Sequence, residues 1–300
     1  SKHRRPRGGL RTRILNALPI LGIIVGLVIL GWYPATEMID AYRREQVLEQ
    51  LDTAVSHMDD SAKQEMLSQA HAYNERLAGL TPQIPSDQIW PYERQLALDG
   101  HDVEFAYIII PKISLEMPIY HGADDAVLSA GVGHLEWSSL PVGGASTHAV
   151  LSAHSGMEGM RAFDDIRELE PGDVFAVKVL GELYAYKVTS TEVVLPDELD
   201  STKIVAGKDL MTLVTCTPYG INDHRLLVHA ERTKVPADFF DEKPSVADVL
   251  TNRRVLPFVL GLAGVAALGA LLALRRRRAR ARSSGVGGKS AHGAVCRKRK

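Results

Sequence analysis

The fold and the chemistry of this chain both depend on the stretch TLVTCTPYGINDHRLLV, residues Thr212 to Val228. An apolar run ends at Cys216, a turn-forming Thr-Pro-Tyr-Gly sequence follows at once, and a second apolar run begins at Arg225. Short apolar runs separated by turn residues predict two strands joined by a loop. If the two strands are neighbours, Arg225 returns to the vicinity of Cys216.

Four further runs between Asp102 and Arg232 have the same strand-like character, namely VEFAYIIIP, THAVLSAH, DVFAVKVL and ELYAYKVTSTEVV. Val, Ile, Tyr and Thr alternate in several of them, and clusters of Gly, Pro, Asp or Asn separate them. Several short strands within one such region predict a sandwich or a closed barrel built around a single core. One short helix is predicted in MRAFDDIRELEPGD, residues 160–173.

The regions on either side of these strands have different compositions. Residues 34–80 are rich in Glu, Gln, Ala, Leu and Met at helical spacing, which predicts one or two amphipathic helices. Residues 81–101 contain several prolines and predict an irregular linker or flap. The strand region itself is assigned to residues 102–233, and the polar residues 234–254 are predicted to form a linker.

The ends of the chain are basic and apolar, whereas the middle is acidic. All 36 acidic residues lie between residues 34 and 254, which hold only 18 of the 35 basic ones. The uncharged runs at residues 14–33 and 255–274 are long enough to span a bilayer, and the basic segments 1–13 and 275–300 flank them. The positive-inside rule therefore predicts two transmembrane helices, both termini cytoplasmic and the middle extracytoplasmic.

Two alternatives exist for these ends. The first run could be a cleaved signal peptide, although it is long for a signal core and no small-x-small cleavage site follows cleanly. The basic tail RRRRARAR could bind nucleic acid, but it directly follows a predicted span and is typical of a stop-transfer anchor. We therefore expect a membrane protein with no nucleic-acid partner.

The predicted topology separates the two cysteines, because Cys216 lies outside the cell and Cys296 lies in the cytoplasmic tail. A lone thiol in an oxidising environment is buried, pairs between chains or reacts. To react at neutral pH, the thiol requires a basic partner or a positive field. Arg225 supplies a permanent charge and several donors, which suits it to hold an oxyanion or a carbonyl group.

His154 is the best placed of the eleven histidines to act as the base, because it also ends a predicted strand and precedes a loop. Spacing alone does not exclude His134, His148 or His224. The competing interpretation is structural throughout: a buried apolar cysteine, an arginine in a surface ion pair and a core or capping histidine. The sequence has no CxxC or HExxH spacing, so we expect neither a metal nor a cofactor.

These residues resemble the sortase family, in particular the pilin-polymerising class C sortases of Gram-positive bacteria. The family signature TLxTC occurs as TLVTC, its arginine corresponds to Arg225, and its histidine corresponds to His154 in THAVLSAHSG. The blocks IIIPKISLEMPIYHG and GVGHLEWSSLPVGG extend the resemblance over roughly residues 103–232. The resemblance implies a closed sortase-type β-barrel of about eight strands with short helices, an N-terminal helical segment and two flanking transmembrane helices.

The resemblance also implies a cysteine transpeptidase that acts at the cell surface. Cys216 would attack the Thr–Gly bond of an LPxTG-like sorting signal and form a thioacyl enzyme. His154 would move protons, and Arg225 would bind the signal and stabilise the oxyanion. A lysine of another pilin subunit would resolve the intermediate into an isopeptide bond, so the expected partners are pilin subunits and the membrane.

The chain departs from the class C pattern in the lid. The family commonly carries an Asp-Pro-aromatic triplet over the site, whereas this chain has SDQIWPYE, in which Asp87 is not adjacent to a proline. From position and composition we expect a lid with Trp90 as the occluding residue, and with Asp87 and Tyr92 as further members. An ordinary proline-rich linker is the alternative.

Two other functions remain open for the whole chain. A housekeeping-type sortase would attach surface proteins to peptidoglycan and differ only in its acceptor. A nonenzymatic adhesion or receptor domain held by two membrane spans would instead bury Cys216.

Overall fold

The computed structural model describes residues 42–81, 85–98, 104–156 and 160–240, together with Gly26 and six isolated residues between 260 and 274. The chain divides into two compact units, Ser1–Lys243 and Pro244–Lys300. The strands and the site described below all belong to the first unit. The few described residues of the second unit are helical.

Eight strands close into a barrel, which confirms the predicted architecture of the region. Around the barrel their order is β1-β2-β3-β4-β7-β8-β6-β5. Their bounds are β1 Glu104–Ile110, β2 Leu115–His121, β3 Val132–His134, β4 Thr147–Ser152, β5 Val174–Val179, β6 Glu182–Val194, β7 Asp209–Thr217 and β8 His224–Thr233.

Two parallel pairings determine which parts of the chain meet. The pairs β2–β3 and β4–β7 are parallel, and the remaining neighbours are antiparallel. Because β4 and β7 run in the same direction, the loops that follow them lie at the same end of the barrel. Those loops carry His154 and the residues after Cys216.

The alternation of side chains along β7 separates an inner face from an outer face. Met211 and Leu213 are fully buried in the main core, whereas Val214 belongs to a separate buried cluster with Val150 and Leu227. Successive side chains of a strand point to opposite faces. Cys216 therefore lies on the outer face, in line with Val214.

Two helices precede the barrel, as the composition of residues 34–80 predicts. Helix α1 covers the described residues 42–57, and helix α2 is Asp60–Leu77. From α1, Asp52 accepts hydrogen bonds from Lys178 and Tyr107 of the barrel wall. From α2, the buried side chain of Asn74 donates to the carbonyl of Leu140 and accepts from its amide, at 3.0 and 2.7 Å.

The predicted helix in residues 160–173 is wrong, because this segment forms a single 3₁₀ turn, Ile166–Glu168, within irregular backbone. Ala162, Phe163, Ile166 and Leu169 are all buried at a spacing that also fits one face of a helix, so the apolar pattern by itself does not exclude irregular backbone. Sequence patterns also did not predict β3, which has only three residues, or helix α3, Asp125–Ala130. Further 3₁₀ turns are Ser86–Gln88, Tyr92–Arg94, Pro111–Ile113 and Asp200–Thr202.

Among the described residues, no helix combines the length and apolar character needed to cross a bilayer. The predicted spans at residues 14–33 and 255–274 fall almost entirely outside the described part of the chain. The same holds for the basic end segments, for Cys296 and for most of the predicted linker.

Candidate active site

Cys216 and Arg225 are directly opposite each other on neighbouring strands. They are register partners in the antiparallel β7–β8 pair, and the connecting loop carries Tyr219 and Asn222. Directly opposite residues have Cβ atoms about 4.5–5.5 Å apart. Cys216 is a free cysteine, and both residues are partly exposed.

His154 follows β4, which lies on the other side of β7. The parallel register pairs Ser152 with Val214, and the amide of Ala153 continues it by donating to the Val214 carbonyl at 3.2 Å. If this register is continued for two residues along each strand, His154 lies beside Cys216. The structure thus brings His154, Cys216 and Arg225 into one row across three adjacent strands, all on the outer face and all partly exposed.

Two hydroxyl groups hold the backbone on both sides of His154 against β7. Thr215 Oγ1 donates to the carbonyl of Ala153 at 2.8 Å, and Ser155 Oγ donates to the carbonyl of Cys216 at 2.6 Å. Thr215 and Ser155 are buried. The histidine is therefore fixed to the strand that carries the thiol, although its side chain remains accessible.

The guanidinium of Arg225 lies back along its own loop. Nη1 donates to the carbonyls of Asn222 and His224, at 3.2 and 3.0 Å. His224 itself pairs with Asp223 at 2.8 Å, and this hydrogen bond holds the pKa of the exposed Asp223 carboxyl below its usual range. The row can therefore supply a thiol, an imidazole and a fork of charge-assisted donors, which are the groups that nucleophilic acyl transfer requires.

An apolar row lies next to the three residues on the same outer face. Val150, Val214 and Leu227 are almost fully buried there, and Leu135, Val194 and Leu199 pack around them. This row supports the strand ends that carry the thiol and the guanidinium. Loose packing at this position would let the distance between the thiol and the guanidinium vary.

Beyond the apolar row, a chain of hydrogen bonds crosses four elements. His148 lies within 3.0 Å of the Lys203 carbonyl and, through its other nitrogen, 2.7 Å from Thr212 Oγ1. The same hydroxyl lies 2.8 Å from Nδ1 of His229, whose Nε2 is 3.0 Å from Glu192 Oε1. His148 also lines a cavity of about 460 Å³.

The hydrogen-bond directions along this chain follow partly from the chemistry of its ends. The Lys203 carbonyl and the Glu192 carboxylate only accept hydrogen bonds, so Nδ1 of His148 and Nε2 of His229 donate to them. Thr212 has one hydroxyl proton for the two nitrogens that face it, so it donates to only one of them. Burial lowers the pKa of His148. Hydrogen bonds from Ser201 and then His229 in turn lower the pKa of Glu192.

The predicted lid residues lie elsewhere on the barrel. Tyr92 is buried, its hydroxyl accepts from the Gly122 amide at 2.9 Å, and it donates to the His134 carbonyl at 2.9 Å. Trp90 is half-buried, with the Arg94 guanidinium 4.4 Å from its ring centroid. Asp87 is exposed.

The register shows how far Tyr92 lies from the thiol. His134 pairs with Leu151 of β4, which pairs with Leu213 of β7. Cys216 is three residues further along β7, or roughly 10 Å at strand spacing, and it points to the opposite face. No hydrogen bond or ring contact in the described segments joins residues 85–98 to the row of three. The lid role therefore stays a prediction.

Comparison with known proteins agrees with this arrangement. Residues 108–233 match the sortase domain family. The crystal structure of sortase C1 from Streptococcus agalactiae is 42% identical in sequence, with a TM-score of 0.58, and the similarity covers 63% of this chain and 98% of that one. This chain belongs to the sortase family.

Its structural neighbours are class C sortases. Sortase C-1 from Actinomyces oris is 44% identical, with a TM-score of 0.50 over 57% of this sortase and 98% of that chain. Sortase A from Streptococcus agalactiae serotype III is 29% identical over 130 residues, 42% of this chain. The alignment spans 52% of that curated relative, so this sortase covers about half of its length.

Several residues around the site of this sortase escaped sequence reasoning. Thr215, Ser155 and Asp164 hold the His154 loop, and Thr212 and His229 belong to the chain of hydrogen bonds beyond the apolar row. The alternation of side chains along a strand could have indicated His148 and His229. His148 lies six residues before His154, and His229 lies four after Arg225, so each shares the outer face with a candidate residue.

Proposed function

We propose that this sortase is a membrane-anchored cysteine transpeptidase that cleaves LPxTG-like sorting signals and joins pilin subunits through lysine isopeptide bonds. The observation that supports it most directly is the row of His154, Cys216 and Arg225 across β4, β7 and β8. Acyl transfer requires a nucleophile, a proton carrier and an oxyanion stabiliser within reach of one carbonyl carbon. These three side chains have those chemical properties, and their partial exposure leaves the row open to a peptide.

In the first half-reaction, the Cys216 thiolate attacks the carbonyl carbon of the signal's threonine. The tetrahedral oxyanion that forms is stabilised by donors of Arg225. The Thr–Gly carbon–nitrogen bond then breaks, and His154 gives its proton to the departing glycine amine. The products are a thioester on Cys216 and a released peptide that begins with glycine.

In the second half-reaction, the ε-amine of a pilin lysine attacks the thioester carbonyl. His154 takes the proton that the amine loses, and the carbon–sulfur bond breaks to release the Cys216 thiolate. The new bond is an isopeptide between the signal's threonine and the lysine. No net oxidation occurs, so the cycle requires no redox cofactor.

The choice of pilin lysine as the acceptor is supported by the class C neighbours, because the similarity to this sortase covers 98% of each of these two solved chains. It is also supported by the second apolar run at residues 255–274, since two spans are expected of class C sortases. The match to a sortase A keeps peptidoglycan attachment as the second candidate.

The first experiment mixes the full chain, solubilised in nonionic detergent, with an LPxTG-type peptide and measures intact mass. We expect an adduct of the peptide up to its threonine on Cys216, and none in the Cys216→Ala protein. If the Cys216→Ala protein cleaved the peptide as fast as the parent, the proposed nucleophile would be wrong. If neither protein cleaved it, a nonenzymatic role would be favoured.

A competition experiment distinguishes the two acceptors. The preformed thioester is offered a pilin domain with its lysines intact and a peptidoglycan stem-peptide amine at equal concentration. We expect the isopeptide-linked pilin to dominate. Preferential capture by the stem peptide would identify the housekeeping activity instead.

The two cysteines also report the proposed location, in which the catalytic region is extracytoplasmic and both termini are cytoplasmic. A membrane-impermeant thiol reagent applied to intact cells is expected to label Cys216 and to leave Cys296 unlabelled until the cells are lysed. Cys216→Ala and Cys296→Ala proteins assign each label. Labelling of Cys296 in intact cells would contradict the topology.

A further inference from the structure

A closed ring of contacts joins the loop that carries His154 to the loop that follows Cys216. The ring passes through the segment 163–167, to which sequence analysis assigned no function. It begins at the backbone of His154, whose carbonyl accepts a hydrogen bond from the amide of Phe163 at 3.0 Å. Since Phe163 is fully buried, the His154 backbone contacts a rigid part of the core on the side away from β7.

Asp164 provides the second attachment of the His154 loop. Its Oδ1 accepts from the amide of Gly156, two residues after the histidine, at 2.6 Å. Asp164 is only 3% exposed, so its carboxylate lies within the protein. There it accepts a hydrogen bond from this loop, and such bonds are stronger when the acceptor is ionised. Gly156 has φ +79°, a backbone conformation that glycine adopts readily and other residues rarely do, so its amide can face the Asp164 carboxylate without backbone strain.

Arg167 and Tyr219 complete the ring. Nε of Arg167 donates to the carbonyl of Asp164 at 2.8 Å, and its guanidinium carbon lies 5.4 Å from the ring centroid of Tyr219. Tyr219 belongs to the loop after Cys216, and its ring packs on Gly156, where a Cβ would lie 3.4 Å from two ring carbons. The four residues Gly156, Asp164, Arg167 and Tyr219 therefore contact one another in sequence around a closed circuit.

We propose that Asp164 is a positioning residue that holds His154 in line with Cys216, and that Arg167 and Tyr219 couple this position to the β7–β8 loop. The proposal rests on the transpeptidase function proposed above. On the β7 side, Thr215 and Ser155 tie the same loop to the cysteine strand. Without the Asp164 carboxylate, the Phe163 amide is the one remaining hydrogen bond of those described on the side away from β7, and the imidazole moves away from the proton path.

The test uses the full chain in detergent, in a Cys296→Ser background so that Cys216 is the reporting thiol. Asp164→Ala removes the acceptor for Gly156, whereas Asp164→Asn keeps the oxygen. We expect Asp164→Ala to lower kcat for thioester formation about 10- to 100-fold with little change in KM, since misplaced catalytic groups cost up to about 100-fold. Asp164→Asn is expected to restore most of the rate.

Asp165→Ala is the matched control. Asp165 is the next residue, carries the same side chain and pairs with Arg161 at 2.5 Å, with no part in the ring. We expect this variant to keep the parent's kcat. If it is as slow as Asp164→Ala, or if Asp164→Asn shows no rescue, the slow rate reflects general damage and the proposal is overturned.

Alkylation of Cys216 by iodoacetamide gives a readout that requires no sorting signal. We expect the pH profile of the alkylation rate to differ between Asp164→Ala and the parent, and Asp164→Asn to return it to the parental profile. A parent that forms no thioester, together with this difference in profile, would reject the proposed function and retain the positioning role. A parent that forms the thioester, with Asp164→Ala matching it in rate and profile, would reject the positioning role alone.

If Asp164→Ala fails to fold, Arg167→Met tests the same ring at an exposed residue. Loss of one exposed cation–π contact changes an equilibrium or rate constant by a factor of about two to five. We expect kcat to fall by that factor and the alkylation profile to shift in the direction of the Asp164 variants. Parental kcat and profile in a folded Arg167→Met protein would overturn the proposal.

Discussion

Lowering the pH is predicted to weaken the barrel through His134, which is fully buried beneath Tyr92. Nε2 of His134 lies 2.8 Å from the Ser139 carbonyl and donates to it, so the neutral ring turns its lone pair at Nδ1 toward the Tyr92 hydroxyl, 3.0 Å away. Burial lowers the pKa of His134 from 6.5 to about 4.

The sign and size of the effect follow from proton linkage. Between pH 6.5 and about 4 the unfolded chain binds a proton at this position and the folded chain does not, so stability falls as the pH is lowered through that window. The contribution lost by pH 5 is about 2 kcal/mol, and the full loss near pH 4 is about 3 kcal/mol. The lowered pKa of His148 adds a loss of the same sign.

The assay is urea unfolding of the full chain in nonionic detergent at pH 7 and pH 5, followed by tryptophan fluorescence. His134→Gln keeps a donor for Ser139 but does not titrate, so it is expected to lose about 2 kcal/mol less than the parent between the two pH values. His57→Gln, which replaces an exposed histidine of α1, should behave like the parent. Equal losses in the parent and His134→Gln would refute the reasoning.

Three further predictions concern the site and its supports. Arg225→Lys keeps the charge but loses the planar fork, so thioester formation should slow by about 100-fold with an unchanged melting temperature; a change below about 3-fold would exclude an oxyanion role. Tyr92→Phe removes the hydroxyl between Gly122 and His134 and should lower the free energy of unfolding by about 1–3 kcal/mol, with no change in the alkylation rate of Cys216. Faster alkylation would instead support a lid. Thr212→Val should cost a similar amount, because the imidazole nitrogens of His148 and His229 lose the hydroxyl that they share; an unchanged urea midpoint would contradict a stabilising role of this hydroxyl.

The strands could largely be predicted from sequence because side-chain alternation and turn residues are local features of the chain. Period-two alternation and turn residues indicated six of the eight strands, namely β1, β4, β5, β6, β7 and β8. Strand β2 lies in the block IIIPKISLEMPIYHG, to which only the family resemblance pointed. Strand β3 was not predicted because three residues with a central glycine carry no periodic signal. The helix predicted at residues 160–173 was wrong because the buried residues of this irregular segment happen to have helical spacing.

The sequence by itself determined that Cys216 and Arg225 would meet, since a short loop between two apolar runs favours antiparallel pairing of their ends. It also carried the motifs by which the family could be recognised. Only the tertiary structure decided that Ser155, 61 positions before Cys216, would bond to it and so bring His154 alongside. Parallel pairing of β4 with β7 requires closure of the intervening chain, and no local pattern encodes its register. The same reason explains why Asp164 and the distant placement of Tyr92 became visible only in the folded barrel.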